Sequence, residues 1–419
     1  MYKINSIDIN KYRNNIRLLA VFLIACVAFS IPFGYEYSKK INVLIFVLWL
    51  FIVRIEDIKY ILKNKVLIVL FLFIVSHYTT LFLSEDISSA LYEIRHFWRY
   101  IFIPIIMYMT IIKKGDIKYI ISAFIISMFI NEIISYLIYF DLYQTEFSKT
   151  RQFPVGFINH IQYSVLVAFS SILILYQAKG MKNGIVKYIY VVFFITMTTN
   201  LVISSGRTGY VIFFVSLIIL LFVYYKFTWK NFLQILLFPT IVFFIGYKLN
   251  AGVEARIKAS LTAIDKIGAE SNYNTSLGTR IAYYPLTYDM LSQKENSFIF
   301  GVGMGDIQKE LIKSIKRTDY IKIGPLNIQH VHSSYLTAYL NAGILGLILL
   351  ILLFYYLFSM KFENKEYKFI KYLFLLNFSI GIIPDILLTQ KIMMVYFSIF
   401  VALILAQQKA EYEDKLKKK

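Results

Sequence analysis

The chain has 419 residues, of which 58% are hydrophobic, 18% aromatic and only 16% charged. Soluble domains average nearer ~25% charged and under ~50% apolar residues, so the ordinary globular classes are excluded and a membrane class is implied. A single cysteine, Cys26, excludes an internal disulfide and a cysteine-rich metal site, and the net charge of +19 has to be located before it is read as a nucleic-acid signal.

The basic polar start, "MYKINSIDINKYRNNIR", precedes an apolar run with no small-residue cleavage site, and reads as a retained first helix rather than a signal peptide. A helix needs about 20 apolar residues to cross a bilayer. In chain order the candidate spans are Leu18–Gly34, Ile41–Val53, Val66–Leu83, Tyr100–Ile112, Tyr119–Phe140, Val155–Tyr176, Tyr188–Ser204, Tyr210–Tyr225, Phe232–Tyr247, Ser333–Met360, Phe369–Pro384 and Ile392–Ala406. That is twelve, or eleven if the short second run is interfacial. The expected fold is an all-α polytopic membrane protein. It has nine helices in 1–249, one large outward loop over 250–331, three helices in 332–408 and a basic tail over 409–419.

With the N-terminus in the cytoplasm, 25 of the 44 basic residues fall in cytoplasmic segments and 11 in the long outward segment from Lys248 to Lys322. Long loops count little in the positive-inside rule. Both ends are therefore expected in the cytoplasm, and the positive charge is an orientation signal rather than a sign of nucleic acid. The outward loop predicts three helices. "GVEARIKASLTAIDKIG" places Val253, Ile257, Leu261 and Ile264 at helical spacing. "TSLGTRIAYYPLTYDML" follows, with Ser276 as its N-cap, and "DIQKELIKSIK" carries Ile307, Leu311 and Ile315 on one side.

Basic groups gather at the outward edge. Arg207 stands in "SSGRTGY", between Gly206 and Gly209, in a very short turn. Snorkelling to lipid head groups explains it as readily as anion binding. With Ser276 as the cap, Arg280 falls in the first turn of its helix, where a cation is disfavoured by the partial positive charge of the helix N-terminus unless an anion binds there. His330 and His332 end the polar loop and open the span "SSYLTAYLNAGILG". A histidine at a membrane edge is commonly structural, but imidazole is also the side chain suited to proton transfer near neutral pH. Arg95 and Arg99 are four apart in "EIRHFWRY", Arg151 lies before the sixth span, and Asp385 follows Pro384 at the outward end of another. Glu132, in "FINEIIS", is the clearest acid within a span. "GVGMGD" at 301–306 has neither a preceding strand nor a following GK[ST], so it reads as a turn rather than a nucleotide loop. No carboxylate pair suited to a metal stands at an outward span end.

The GR turn, the long loop with "TSLGTR" and "GVGMG", and "HSSYLTAYLNAGILG" together resemble the O-antigen ligase and polymerase superfamily. The likeness runs from about Val155 to Asp385, and "TSLGTRIAYY" is closest to lipopolysaccharide O-antigen ligases. Ser333 stands where that family often has Asn. The resemblance implies a GT-C-type glycosyltransferase of the bacterial inner membrane, with its site facing the periplasm, that uses no cofactor, metal or nucleotide sugar. The implied donor is a glycan on undecaprenyl pyrophosphate, the acceptor a sugar hydroxyl of the lipid A core, and the outcome inversion. Arg207 and Arg280 match the pyrophosphate-holding arginines and His332 the base. Asp385, His330, Arg95, Arg99 and Arg151 are supporting candidates. A polymerase joining repeat units on the same lipid shares the donor chemistry. A flippase or transporter would want more ionisable groups within spans and a repeat between halves.

Overall fold

The structure is a computed structural model. It describes residues 9–147, 153–224, 251–293, 295–318, 321 and 330–417, with single positions between 229 and 248. The ninth predicted span, Phe232–Tyr247, lies almost wholly outside these residues, and Arg151 lies outside them.

The described residues are helical, with no strand. In chain order the helices are α1 (Ile9–Ser30), α2 (Tyr35–Ile52), α3 (Ile55–Lys63), α4 (Lys65–Tyr78), α5 (Ile87–Phe97), α6 (Ile103–Ile111), α7 (Ile117–Tyr139), α8 (His160–Gly180), α9 (Ile185–Ile203) and α10 (Arg207–Tyr224). The loop contributes α11 (Ala251–Glu270), α12 (Ser276–Ser292), α13 (Ser297–Phe300) and α14 (Ile307–Arg317). The chain ends in α15 (Ser334–Ser359), α16 (Lys365–Gly381) and α17 (Lys391–Lys417). Among the described residues, seven helical stretches are long and apolar enough to cross a membrane: Asn10–Phe33, Lys65–Leu83, Ile117–Tyr139, His160–Gly180, Ile185–Ile203, Ser334–Ser359 and Lys391–Leu416. The predicted spans at Ile41–Val53, Tyr100–Ile112, Tyr210–Tyr225 and Phe369–Pro384 fall on shorter or more charged helices.

Local sequence explains the breaks. Pro32 enters a short turn that closes α1 before Gly34, because proline has no N–H to continue the ladder. Pro104, at the start of α6, follows a π-turn over Trp98–Phe102 that joins α5 to α6. Asn64, Asn159 and Asn364 cap α4, α8 and α16 by accepting backbone N–H bonds. In the bundle α1 packs on α2 and α7, α8 on α9, α10 and α16, α15 on α4, and α17 on α6. The apolar stretches of α8 and α17 are 78% and 83% buried, against 39% for α9, so those two form the centre.

At one end of the bundle, ion pairs join Arg17 to Asp116, Lys409 to Asp57 and Lys114 to Asp414. The opposite end gathers the N-termini of α8, α10, α15 and α17 with the segment after α16, and the loop helices pack there. Tyr283, Leu286 and Met290 of α12 and Leu311 of α14 form a second core with Val331 and Leu340. As predicted, α14 buries Leu311 and half-buries Ile307 and Ile315. On α11, Leu261 and Ile264 are exposed.

"GVGMGD" is a clasp made of backbone. Gly301, Gly303 and Gly305 all have positive φ. Val302 N donates to Leu340 O, and Asp306 accepts from the backbone N–H groups of Glu85 and Asp86. Leu340 is free to accept because α15 breaks at Ala342 and Gly343. Gly343 has φ 62° and ψ −161°, a region essentially reserved for glycine, and a Cβ there would lie 1.8 Å from Ile299 O. Gly343→Ala should therefore lower stability by about 1–3 kcal/mol from backbone strain alone, with the overlap added. A clear fall in the melting temperature of the detergent-solubilised protein is expected; an unchanged melt would mean that the clasp is not needed.

Candidate active site

The site is built around one carboxylate. Asp385, in the turn after Pro384, is 1% exposed. Its Oδ2 accepts a hydrogen bond from Thr208 Oγ1 at 2.9 Å. Its Oδ1 lies 3.5 Å from Arg280 Nη2 and 3.7 Å from His332 Nδ1. Its backbone carbonyl accepts from both the N–H and the hydroxyl of Ser334, each at 3.1 Å. Three distant parts of the chain, around 208, 280 and 332, thus meet on one buried group.

Each partner is set by its own helix start. Arg207 is the first residue of α10. The turn before it passes so close to α8 that a Cβ on Gly206 would meet Ser164 Cβ at 2.2 Å, and one on Gly209 would meet it at 2.5 Å. Only glycine lets this helix start approach. Arg207 is half-buried, and its charge and that of Arg280 act on one another.

The N-cap of α12 is Thr275, one residue earlier than predicted. Its extended backbone (φ −138°, ψ 157°) lets Oγ1 accept from Gly278 N at 3.0 Å. Ser276 is already helical, and its hydroxyl and carbonyl accept from Arg280 Nη1 at 2.7 and 3.0 Å. Arg280 Nε donates to Pro384 O at 2.9 Å. The guanidinium therefore opens the second turn of α12, held on three sides, with 22% of its side chain exposed.

His332 has φ +40°, a left-handed conformation that is uncommon for a non-glycine residue and points to a positional demand. Ser333 follows as the N-cap of α15, its hydroxyl accepting from Leu336 N. This is a task a serine performs as well as an asparagine. The His332 ring lies 4.4 Å from His330 and 5.7 Å from Tyr283, centroid to centroid. Its Nδ1 is buried without a hydrogen-bond partner, and 27% of its side chain is exposed. Burial, with the neighbouring His332 charge, pushes His330 down to about 4, against the pull of Asp385. Burial pushes the Tyr283 hydroxyl up to about 12, opposed by Arg280.

The other candidates separate from this cluster. Arg95 and Arg99 are exposed on and just after α5. Glu132 is buried in α7 beside Asn131 and Ser135, and its charge reaches Tyr136 and Tyr163 rather than His332. Sequence spacing did not point to Thr208 or Tyr283. Thr208 was within the GRTG turn, but nothing local marks its hydroxyl as the partner of a carboxylate 177 positions away.

The arrangement has a clear chemical capacity. Two guanidinium groups and the starts of α10 and α15 converge at one edge, a combination that suits anionic oxygens. A half-exposed imidazole lies alongside, backed by a buried carboxylate. Among the described residues no group of three or more His, Cys, Asp or Glu side chains is placed to hold a metal.

Comparison with known proteins gives two findings. Residues 192–351 match the family described as O-Antigen ligase, a stretch that contains Arg207, Arg280, His330 and His332 but not Asp385. A Haemophilus influenzae protein, itself described only as uncharacterized, is 28% identical over 369 residues, 84% of this chain and 87% of that one.

Proposed function

Since residues 192–351 form an O-antigen ligase family domain, we propose that this multi-pass protein is an O-antigen ligase. It would move a glycan from undecaprenyl pyrophosphate to a sugar hydroxyl of the lipid A core, at the periplasmic face of the inner membrane. The observation that carries this reading is the meeting of Arg280, Thr208 beside Arg207, and His332 on the single buried carboxylate of Asp385. The twelve-span GT-C architecture with both termini in the cytoplasm belongs to the same proposal.

In this mechanism the acceptor hydroxyl gives its proton to His332 as its oxygen attacks the anomeric carbon. The bond from that carbon to the pyrophosphate oxygen breaks, and the electron pair leaves with the pyrophosphate. Attack opposite the leaving group inverts the anomeric centre. Arg207 and Arg280 hold the leaving group where its charge develops, and preorganised donors of this kind supply a large share of catalysis. Asp385 orients the imidazole and stabilises its protonated form, as a buried carboxylate does in other His-dependent sites.

The test is glycan transfer in cells lacking their own ligase, with lipopolysaccharide and lipid-linked glycan both measured. Wild type should place long glycan on the lipid A core. Arg280→Lys should lose most of this activity while inserting normally, because a lysine lacks the fork that reaches Ser276, Pro384 and Asp385 together. Lengthened lipid-linked glycan with nothing on the core would instead identify a polymerase using the same donor site. Full activity in Arg280→Lys would remove the assigned role of the fork.

A further inference from the structure

A second group of cations lies at the same end of the bundle, outside the Asp385 cluster. Lys391, the first residue of α17, is six positions after Asp385. Its neighbour Gln390 accepts from Gln162 Nε2 of α8 at 2.9 Å. Lys391 Nζ stands 4.7 Å from the centre of the Tyr35 ring and 6.0 Å from that of Tyr92, and donates to Tyr35 Oη at 3.5 Å. His96 packs edge-on to Tyr92 at 4.4 Å and stacks on Tyr100 at 5.6 Å. Arg99 stands 5.6 Å from the centre of that Tyr100 ring, and Arg95 adjoins His96 in α5, so three cations surround the His96 ring; burial first, then the charges of Lys391, Arg99 and Arg95, pushes it down to about 4.

Among the described residues, no carboxylate lies within ion-pair distance of Arg95, Arg99 or Lys391. Glu36, whose carboxyl feels Lys391, is held first by the Tyr35 hydroxyl and is itself flanked by Lys39 and Lys40. With the exposed Glu36 carboxyl shared among Lys391, Lys39 and Lys40, the group keeps a net positive charge, which an anion would offset. Leu91 and Tyr92 are exposed beside Arg95 and His96, one helical turn away. An apolar shelf next to a cation cluster suits a lipid head group with its chain attached; a free phosphate would not need the shelf.

We propose that Lys391, Arg95 and Arg99, against Tyr35 and Tyr92, form a second anion site that holds the phosphate of a lipid head group. That this lipid is the glycan acceptor rests on the transferase reading; the site itself does not.

The test uses the full-length protein in detergent, with retention of phosphatidic acid and phosphatidylcholine compared by native mass spectrometry. Wild type should retain phosphatidic acid in preference. Lys391→Gln and the Arg95→Gln/Arg99→Gln pair should each weaken retention, by about fivefold per cation removed, while Lys114→Gln, at the opposite end of the bundle, should not. In the transfer assay Lys391→Gln should raise KM for the acceptor and leave KM for the donor unchanged. Unchanged lipid retention in these variants overturns the site, as does equal displacement of the lipid by excess inorganic phosphate, which would mark a free-phosphate site. Retention lost in the variants, with no transfer even by wild type, supports the lipid site and counts against the transferase reading alone.

Discussion

A His332→Asn variant is expected to insert, fold and lose glycan transfer by about 10²–10⁴-fold, the usual worth of a positioned general base. Asparagine is the informative replacement because His332 has φ +40°, and Asn tolerates that region better than most side chains. The melting temperature should match or exceed that of wild type, so lost transfer could not be blamed on a broken fold. His330 is pushed down from 6.5 to about 4, so its charge does not change between pH 5 and 8. The sign for stability is the reverse of a salt-bridged histidine. The unfolded imidazole binds protons that folded His330 resists, so this residue costs stability as pH falls from 6.5 toward 4. Near-normal transfer by His332→Asn would end the base assignment.

Much of this was readable from the chain because membrane physics writes large signals. Apolar runs of the right length marked α1, α4, α7, α8, α9, α15 and α17, and three alternating glycines marked the "GVGMGD" turn. The second-helix cap was displaced by one residue, since adjacent Thr275 and Ser276 carry equivalent hydroxyls and only the backbone dihedrals choose between them. The rank of Asp385 was not legible. Its importance comes from closure between segments 177, 105 and 53 positions away, and no local spacing encodes that. Lys391 was hidden for a related reason. At the start of an apolar run it looks like an interfacial anchor, and its aromatic neighbours come from α2 and α5.

Asp385 yields the second large effect, and two substitutions divide its roles. Asp385→Ala removes a buried carboxylate and leaves Thr208 and Arg280 facing an unpaired space. Breaking a buried pair in this way costs roughly 3–5 kcal/mol, so a large fall in thermal stability is expected along with lost transfer. Asp385→Asn keeps an oxygen to accept from Thr208 and loses only the charge. It should fold near normally and still lose about 10²-fold or more of kcat, because the protonated imidazole has lost its counter-charge. Its KM for the lipid-linked donor should stay level or fall, since Asp385 no longer competes with pyrophosphate for the Arg280 guanidinium. That split is diagnostic. A merely structural carboxylate would show lower stability and less active protein, with kcat per folded molecule and KM unmoved. If Asp385→Asn transfers glycan at the wild-type rate, the carboxylate only ties the ends of α10, α12 and α15 together, and His332 has to act without it.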